Sequence, residues 1–298
     1  MLKRRGNMKR HVVTVNACGL GNRLKSLLST LRLSTCLSRT PAVYWPRNEL
    51  CGCDFSDLFD SDIQQVGRSF LADGRLYRLE GSRECPTVLF EDRQNPDKML
   101  ISSWRLIPLP EEIPEGFAQR CPIGRGDNVD FEYHRIPVSF RSKYLQEIQR
   151  LRARKEIEDE VRGFSGSLSE DTVAVSVRSW PERKRRARHF DIKDLYEVLD
   201  GMDGLEMFVS CDAPGILAKI VRRYGSRLRY HRKRTFVGDR RSRAGMQDIL
   251  TDLLLLSRGR TLVVYSGKGA PRCSSTFSEM AWWLGGCRAR TIVVGGKS

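Results

Sequence analysis

Short apolar strands alternate with helices through the second half of the chain, and this alternation restricts the fold more than any other feature of the sequence. Apolar runs predict strands at 172–177, 206–210, 228–230, 261–265 and 291–294. Helical periodicity predicts helices at 192–199, 214–224, 244–257 and 275–284. Such alternation is typical of a parallel sheet covered by helices. We therefore expect a doubly wound sheet of about five strands in this half.

The chain opens with a similar unit. Strands are predicted at 11–16 and 42–45, and a helix with an apolar stripe is predicted between them at 22–37. Gly19 and Gly21 connect the first strand to this helix. The first 46 residues therefore also indicate an α/β domain.

The domain boundary is expected near residue 163. The segment 47–140 is rich in Pro and Gly and predicts irregular α/β structure, whereas 142–162 is helical and rich in charge. The Gly- and Ser-containing stretch 163–170 has the composition of a linker. We therefore predict two domains, 1–163 and 164–298.

Composition excludes several classes of protein. The 298 residues are 40% hydrophobic and 30% charged, and no long apolar run is present, so neither a fibrous nor a membrane-spanning protein is indicated. The net charge of +16 attracts anions such as phosphates, nucleic acids or acidic surfaces. Residues 178–243 carry 18 Lys and Arg against 9 Asp and Glu, and the run Arg183–Arg188 is the densest part.

Neither a structural metal nor a disulfide framework is expected. The nine cysteines form no CxxC pair, and no two of the four histidines have HxxxH spacing. The apolar run Val12–Val15 is too short for a signal peptide. Reduced thiols and a cytoplasmic location are therefore the expectation.

The glycine loop Cys18–Leu24 is a candidate anion site. A glycine turn between a strand and a helix exposes N–H groups at the helix start. The loop lacks the third glycine of a dinucleotide fingerprint, and no glycine precedes Lys25-Ser26 as in a Walker loop. A simple tight turn is the alternative.

Four further side chains are candidates for a ligand site at the carboxyl edge of the second sheet. Arg178 follows a strand and has the planar fork that binds a diphosphate; a solvated arginine is the alternative. Asp212 contacts a ribose or base, or caps a helix. Asp252 faces the crevice or the solvent. Ser275 opens a helix that either binds an anion or is merely capped.

Five short motifs follow one another along the chain: Gly19-Leu20-Gly21-Asn22-Arg23-Leu24, Val177-Arg178-Ser179-Trp180, Phe208-Val209-Ser210-Cys211-Asp212, Asp252-Leu253-Leu254-Leu255-Leu256-Ser257 and Ser275-Thr276-Phe277-Ser278-Glu279. In this order they resemble the O-fucosyltransferase and nodulation α-1,6-fucosyltransferase superfamily. The resemblance implies a GT-B-like α/β fold, in which two Rossmann-like doubly wound domains face a cleft. It also implies an inverting, metal-independent glycosyltransferase that moves L-fucose from GDP-fucose to a glycan, a peptide or a lipid-linked sugar.

The resemblance also implies residue roles. Arg178 would be catalytic, holding the diphosphate and supporting its departure. The donor-binding residues would be Gly19, Gly21, Asn22, Arg23, Arg178, Asp212, Asp252, Ser275, Thr276 and Phe277. The chain departs from the family pattern at Cys18, where a glycine is usual, at Ser176, where a histidine is usual, and at Ala213, where a second aspartate is usual.

Two other functions are compatible with the residues. Lys25-Ser26 beside the glycine loop favours a sulfotransferase that uses a nucleotide sulfate. The basic charge favours a nucleic-acid-binding protein on a degenerate transferase scaffold. For the glycosyltransferase, Glu49, Asp54 and Asp57 are equal candidates for the general base.

Overall fold

The computed structural model describes residues 10–71, 88–91, 98–102, 138–179, 190–266 and 275–294. The strands are, in chain order, β1 His11–Thr14, β2 Thr40–Val43, β3 Phe59–Asp60, β4 Gln64–Gln65, β5 Val88–Glu91, β6 Lys98–Ser102, β7 Arg152–Ala153, β8 Val173–Val177, β9 Met207–Cys211, β10 Leu228–Arg229, β11 Thr261–Tyr265 and β12 Arg290–Val293. The helices are α1 Leu20–Cys36, α2 Val138–Ile148, α3 Lys155–Ser165, α4 Ile192–Asp200, α5 Pro214–Tyr224, α6 Arg243–Leu256 and α7 Thr276–Leu284.

The second half forms the predicted parallel sheet. Its five strands lie in the order β10-β9-β8-β11-β12, and all their pairings are parallel. Every residue of β8 and β9 is buried, because helices cover both faces. Parallel strands buried on both faces read as continuous apolar runs, which is why the sequence located them.

The first half forms a second five-stranded sheet. Its order is β4-β2-β1-β6-β5, parallel except for the antiparallel pair β5 and β6. The predicted α/β architecture with two Rossmann-like sheets is therefore confirmed.

The charge-rich stretch 142–162 is not one helix. It divides into α2 and α3, and the short strand β7 between them pairs antiparallel with β3. The Arg154 N–H donates to the Leu58 carbonyl at 3.0 Å and continues this pairing. Helix α3 also extends to Ser165, into the segment predicted as a linker.

One hydrophobic core crosses the expected domain boundary. Leu27 and Leu31 of α1 belong to the same buried cluster as Leu253 of α6 and Trp283 of α7. The boundary at residue 163 stays a prediction. None of the described helices has the length and hydrophobicity needed to cross a bilayer.

Candidate active site

The carboxyl edge of the second sheet contains a topological switch point between β8 and β11. The chain continues from β8 to β9 on one side and reaches β11 on the other, so the loops after β8 and β11 diverge. Ligands of open α/β sheets bind in the crevice formed at such a point. Arg178 and Ser179 follow β8 there, and Ser266 follows β11.

The glycine loop occupies the equivalent place in the first sheet. It follows β1, which lies between β2 and β6. Gly19 is the N-cap residue of α1, and the Arg23 N–H donates to its carbonyl at 3.1 Å. The loop therefore ends in the free N–H groups of a helix start.

Helices α1 and α7 lie side by side and run in the same direction. A Cβ at Gly21 would lie 2.7 Å from the Phe277 backbone nitrogen and 2.8 Å from the Thr276 carbonyl carbon, so only glycine fits there. About one turn further along both helices, Lys25 Nζ lies 2.6 Å from Glu279 Oε2 in a buried ion pair. The amino ends of the two helices therefore meet, and their dipoles favour an anion at this place.

Arg178 lies at the amino end of α7. Its guanidinium carbon is 5.3 Å from the centre of the Phe277 ring, and its side chain is 15% exposed. Its Nε lies 3.5 Å from Asp212 Oδ2, and its backbone N–H donates to the Tyr265 carbonyl at 2.9 Å. These contacts hold a largely buried guanidinium beside the start of α7, which itself lies against the start of α1.

Asp212 holds the loop after β8 and does not cap α5. Its Oδ1 accepts hydrogen bonds from the Ser179 backbone N–H and hydroxyl, both at 2.8 Å. The N-cap residue of α5 is Ala213, which has no side-chain cap. The alternative of a helix cap at Asp212 is therefore wrong, because its carboxylate faces Arg178 and Ser179 instead.

Three buried hydroxyls fix the start of α7. Ser275 Oγ accepts the Ser278 N–H at 3.2 Å and lies 3.0 Å from Ser278 Oγ. Ser278 Oγ lies 2.8 Å from Ser176 Oγ on β8. Ser176, which the sequence resemblance aligns with a histidine, thus anchors α7 to the sheet.

Asp252 is buried in a polar network. One carboxylate oxygen accepts the Ser210 hydroxyl at 2.7 Å, and the other contacts Lys233 Nζ and lies 3.3 Å from His231 Nδ1. Burial opposes its ionisation, but the charge of Lys233 and the hydrogen bonds from His231 and Lys233 lower the pKa of Asp252. It is therefore an ionised anchor between β9 and α6, and its contact with a ribose or base stays a prediction.

The stability of the protein is expected to decrease with pH through His231. Burial by itself would lower the pKa of His231, but hydrogen bonds to Asp252 and Glu160 raise it above the usual value of about 6.5. The protonated form is favoured by folding, so its contribution is complete below the unfolded pKa and is lost as pH rises through the folded pKa. Urea denaturation between pH 6 and 9 should show this decrease, and His231→Gln should flatten it. An unchanged slope in the variant would contradict the assignment.

Arg23 braces the glycine loop from inside. Its side chain has no exposed surface; Nε donates to the Cys18 carbonyl at 2.5 Å and Nη2 to the Pro46 carbonyl at 2.9 Å. Its guanidinium lies 4.9 Å from the Trp45 ring centre, and burial lowers the pKa of Arg23. Its contact with a donor stays a prediction, as does that of Asn22, whose Oδ1 is buried without a partner among the described residues.

Two of the three candidate bases already have partners. Arg47 Nε donates to Asp54 Oδ1 at 2.9 Å, and this hydrogen bond lowers the pKa of Asp54. Asp57 accepts the Asp54 N–H at 2.9 Å and lies 3.3 Å from Arg243 Nε. Glu49 is exposed and has no ion pair with the described residues. A carboxylate that is engaged in an ion pair is a poor proton acceptor, so Glu49 is favoured.

Residues 238–243 join the two halves next to Asp212, a role that sequence analysis missed. A Cβ at Gly238 would lie 2.9 Å from the Asp212 carbonyl oxygen. The Gly52 N–H donates to the Arg240 carbonyl at 2.7 Å, and a Cβ at Gly52 would lie 2.1 Å from the Arg241 carbonyl oxygen. These close contacts leave no room for a Cβ at positions 52 and 238, so the two glycines are the sequence signal of this junction.

The structure weakens both alternative functions. Lys25 has no exposed surface and is neutralised by Glu279, so it is not available to a nucleotide sulfate. Much of the basic charge of 178–243 is also neutralised within the protein, in ion pairs made by Arg178, Arg223, Arg227, Arg229, Lys233, Arg234 and Arg243. The run Arg183–Arg188 lies outside the described residues.

One cluster in the described part of the chain has metal-ligand composition. Glu160, His231 and Asp248 each place one ligand atom within 4.8 Å of the others. Arg234 Nε lies 2.6 Å from Asp248 Oδ1, and His231 Nε2 lies 2.8 Å from Glu160 Oε1. Because these groups already neutralise one another beside Lys233 and Arg234, the cluster is an ion-pair network.

Sequence comparison identifies no relative: no protein-family model and no curated protein matches the chain. Comparison of structures finds proteins of similar fold. NodZ α-1,6-fucosyltransferase, in a crystal soaked with GDP-fucose, aligns over 93% of this chain and 92% of its own with 15% identity and a TM-score of 0.53; NodZ has also been solved from Bradyrhizobium.

Two further solved structures are similar over nearly the whole chain. The apo form of POFUT1 aligns over 96% of this chain and 98% of its own, with 13% identity and a TM-score of 0.52. A point mutant of Arabidopsis thaliana FUT1, in complex with GDP, aligns over 95% of this chain and 70% of its own, with 15% identity and a TM-score of 0.55. The chain therefore has the GT-B-like fold that the sequence resemblance implied.

Proposed function

We propose that the protein is an inverting, metal-independent glycosyltransferase that transfers L-fucose from GDP-fucose to a glycan, peptide or lipid-linked sugar. The observation that carries this proposal is the position of Arg178 at the amino end of α7, against which the amino end of α1 lies, at the switch point of the second sheet. A guanidinium and two helix starts form a site for a dianionic diphosphate.

This arrangement suits the departure of a nucleoside diphosphate. When the bond between the sugar carbon and the diphosphate oxygen breaks, its electron pair stays on the oxygen and the sugar becomes oxocarbenium-like. Arg178 and the N–H groups of α7 stabilise the growing negative charge without reorganisation. Asp212 and Phe277 keep the guanidinium in place, since one lies 3.5 Å from Nε and the other 5.3 Å below its carbon.

The similar structures support the donor class. A NodZ crystal was soaked with GDP-fucose, and a point mutant of Arabidopsis FUT1 was solved in complex with GDP. The acceptor hydroxyl would approach from the first half, on the face of the sugar opposite to the diphosphate. Glu49 is the proposed base, because Asp54 and Asp57 are held in ion pairs.

Nucleotide binding can be tested without an acceptor. GDP in the presence of EDTA is expected to raise the melting temperature, because a ligand at 100 times its Kd stabilises the native state by about 2.7 kcal/mol. UDP, ADP and adenosine 3′,5′-bisphosphate are expected to shift it less. Thermal-shift titration measures the change in melting temperature caused by each of the four nucleotides.

The outcome separates the candidate functions. A shift with adenosine 3′,5′-bisphosphate and none with GDP would favour the sulfotransferase. No shift with any nucleotide, together with salt-sensitive binding to DNA or RNA, would favour the nucleic-acid-binding protein. Release of GDP from GDP-fucose on addition of oligosaccharide acceptors would then establish transfer.

A further inference from the structure

Ser266 carries a buried hydroxyl that has no hydrogen-bond partner among the described residues. The residue directly follows β11, and it is 3% exposed. Its Oγ is fully buried and makes no hydrogen bond with the part of the chain that the structure describes. A buried hydroxyl without a partner destabilises the folded state, and in a native protein such a group needs an explanation.

The position of Ser266 supplies that explanation. Tyr265 on β11 pairs with Val177 on β8, and the Arg178 N–H donates to the Tyr265 carbonyl at 2.9 Å. Ser266 and Arg178 are therefore the first residues beyond the paired ends of the two strands that form the switch point. They border the same crevice, which is where a ligand of this sheet binds.

Other hydroxyls at this edge of the sheet are already engaged. Ser176 lies 2.8 Å from Ser278 Oγ, Ser179 donates to Asp212 at 2.8 Å, and Ser210 donates to Asp252 at 2.7 Å. Among these neighbouring serines of the described chain, Ser266 is the one whose O–H is left for a ligand.

We propose that Ser266 is a positioning residue whose hydroxyl donates a hydrogen bond to the diphosphate of the bound nucleotide sugar. This rests on the proposed function. A phosphate oxygen is the acceptor favoured here, because the crevice is bordered by Arg178 and by the amino end of α7. The bond strengthens as charge develops on the leaving oxygen, and no covalent step involves the serine.

Ser266→Ala tests this assignment by two readouts, the affinity for the ligand and the melting temperature of the ligand-free protein. Losing a hydrogen bond to a charged group should weaken binding of GDP and of inorganic pyrophosphate about tenfold to a hundredfold in calorimetric titration. The melting temperature of the ligand-free protein should stay the same or rise, because an unsatisfied buried hydroxyl has been removed. Ser266→Cys, of similar volume and with a weaker donor, should show the same loss of affinity.

Ser26→Ala is the matched control. Ser26 is equally buried, but its Oγ lies 2.8 Å from Thr14 Oγ. This variant should lower the melting temperature of the ligand-free protein and leave the Kd for GDP unchanged.

Each other outcome has a distinct meaning. If the wild-type protein binds neither GDP nor pyrophosphate, the proposed function itself fails. If the wild type binds GDP and both Ser266 variants bind it equally well, only the assignment of Ser266 is overturned. Weaker binding of GDP-fucose with unchanged GDP affinity would place the hydroxyl on the sugar and also overturn the diphosphate contact.

Discussion

Arg178→Ala is expected to lower the rate of sugar transfer about 10²- to 10³-fold, the usual effect of removing one preorganised donor from a developing anion. The guanidinium is largely buried beside Phe277 and the start of α7, so water would replace it poorly. Most of the loss should appear in kcat, because the charge that Arg178 stabilises is greatest in the transition state. The loss in kcat is measured by steady-state kinetics that follow the release of GDP from GDP-fucose.

Two variants make this result specific. Arg178→Lys keeps the charge but loses the planar fork, so it should recover only part of the rate. Arg229→Ala removes a half-exposed arginine from the edge strand β10, where it pairs with Glu206, and should leave the rate unchanged. Near-normal transfer by Arg178→Ala would contradict the proposed mechanism.

Lys25→Met is expected to reduce the free energy of unfolding by about 3–5 kcal/mol, because it removes the ammonium that neutralises the buried Glu279 carboxylate. The two side chains are 0% and 4% exposed and lie 2.6 Å apart. The double variant Lys25→Met with Glu279→Leu should regain most of this loss, since a methionine and a leucine pack where the ion pair was. Urea denaturation of the single and the double variant measures both effects.

The exposed pair of Arg260 and Glu170 provides the comparison. These side chains are 68% and 88% exposed, so Arg260→Met should cost less than about 1 kcal/mol. If Lys25→Met also reduced the free energy of unfolding by less than about 1 kcal/mol, the pair between α1 and α7 would be solvated and would not fix the two halves together.

The second sheet could be predicted closely because its signals are local. Helix α5 begins at Pro214, whose fixed φ suits the first helical position, and β11 is a continuous apolar run bounded by Arg260 and Ser266. Both elements have the predicted bounds. By contrast, β7 has only two residues and pairs with β3, so nothing near Arg152 in the sequence marks it.

The sequence was sufficient to predict which residue types lie at the site, but not which side chains they contact. Arg178, Asp212 and Ser275 follow strands or open a helix, and the topology brings them to one edge. The neutralisation of Lys25 depends on Glu279, 254 residues away, and the orientation of Asp212 depends on Ser179. Such pairings follow from tertiary packing, which neither periodicity nor motif spacing encodes.

Helix α1 ties the two sheets together, because its leucines and the residues of α6 and α7 form one cluster. At about 25 cal/mol per Å², uncovering as little as 400 Å² of that apolar surface would cost roughly 10 kcal/mol, comparable to the whole stability of an ordinary domain. We therefore expect that the two halves do not open and close against each other as separate rigid bodies. A ligand is expected to reach the crevice at the carboxyl edge of the second sheet without separation of the two sheets.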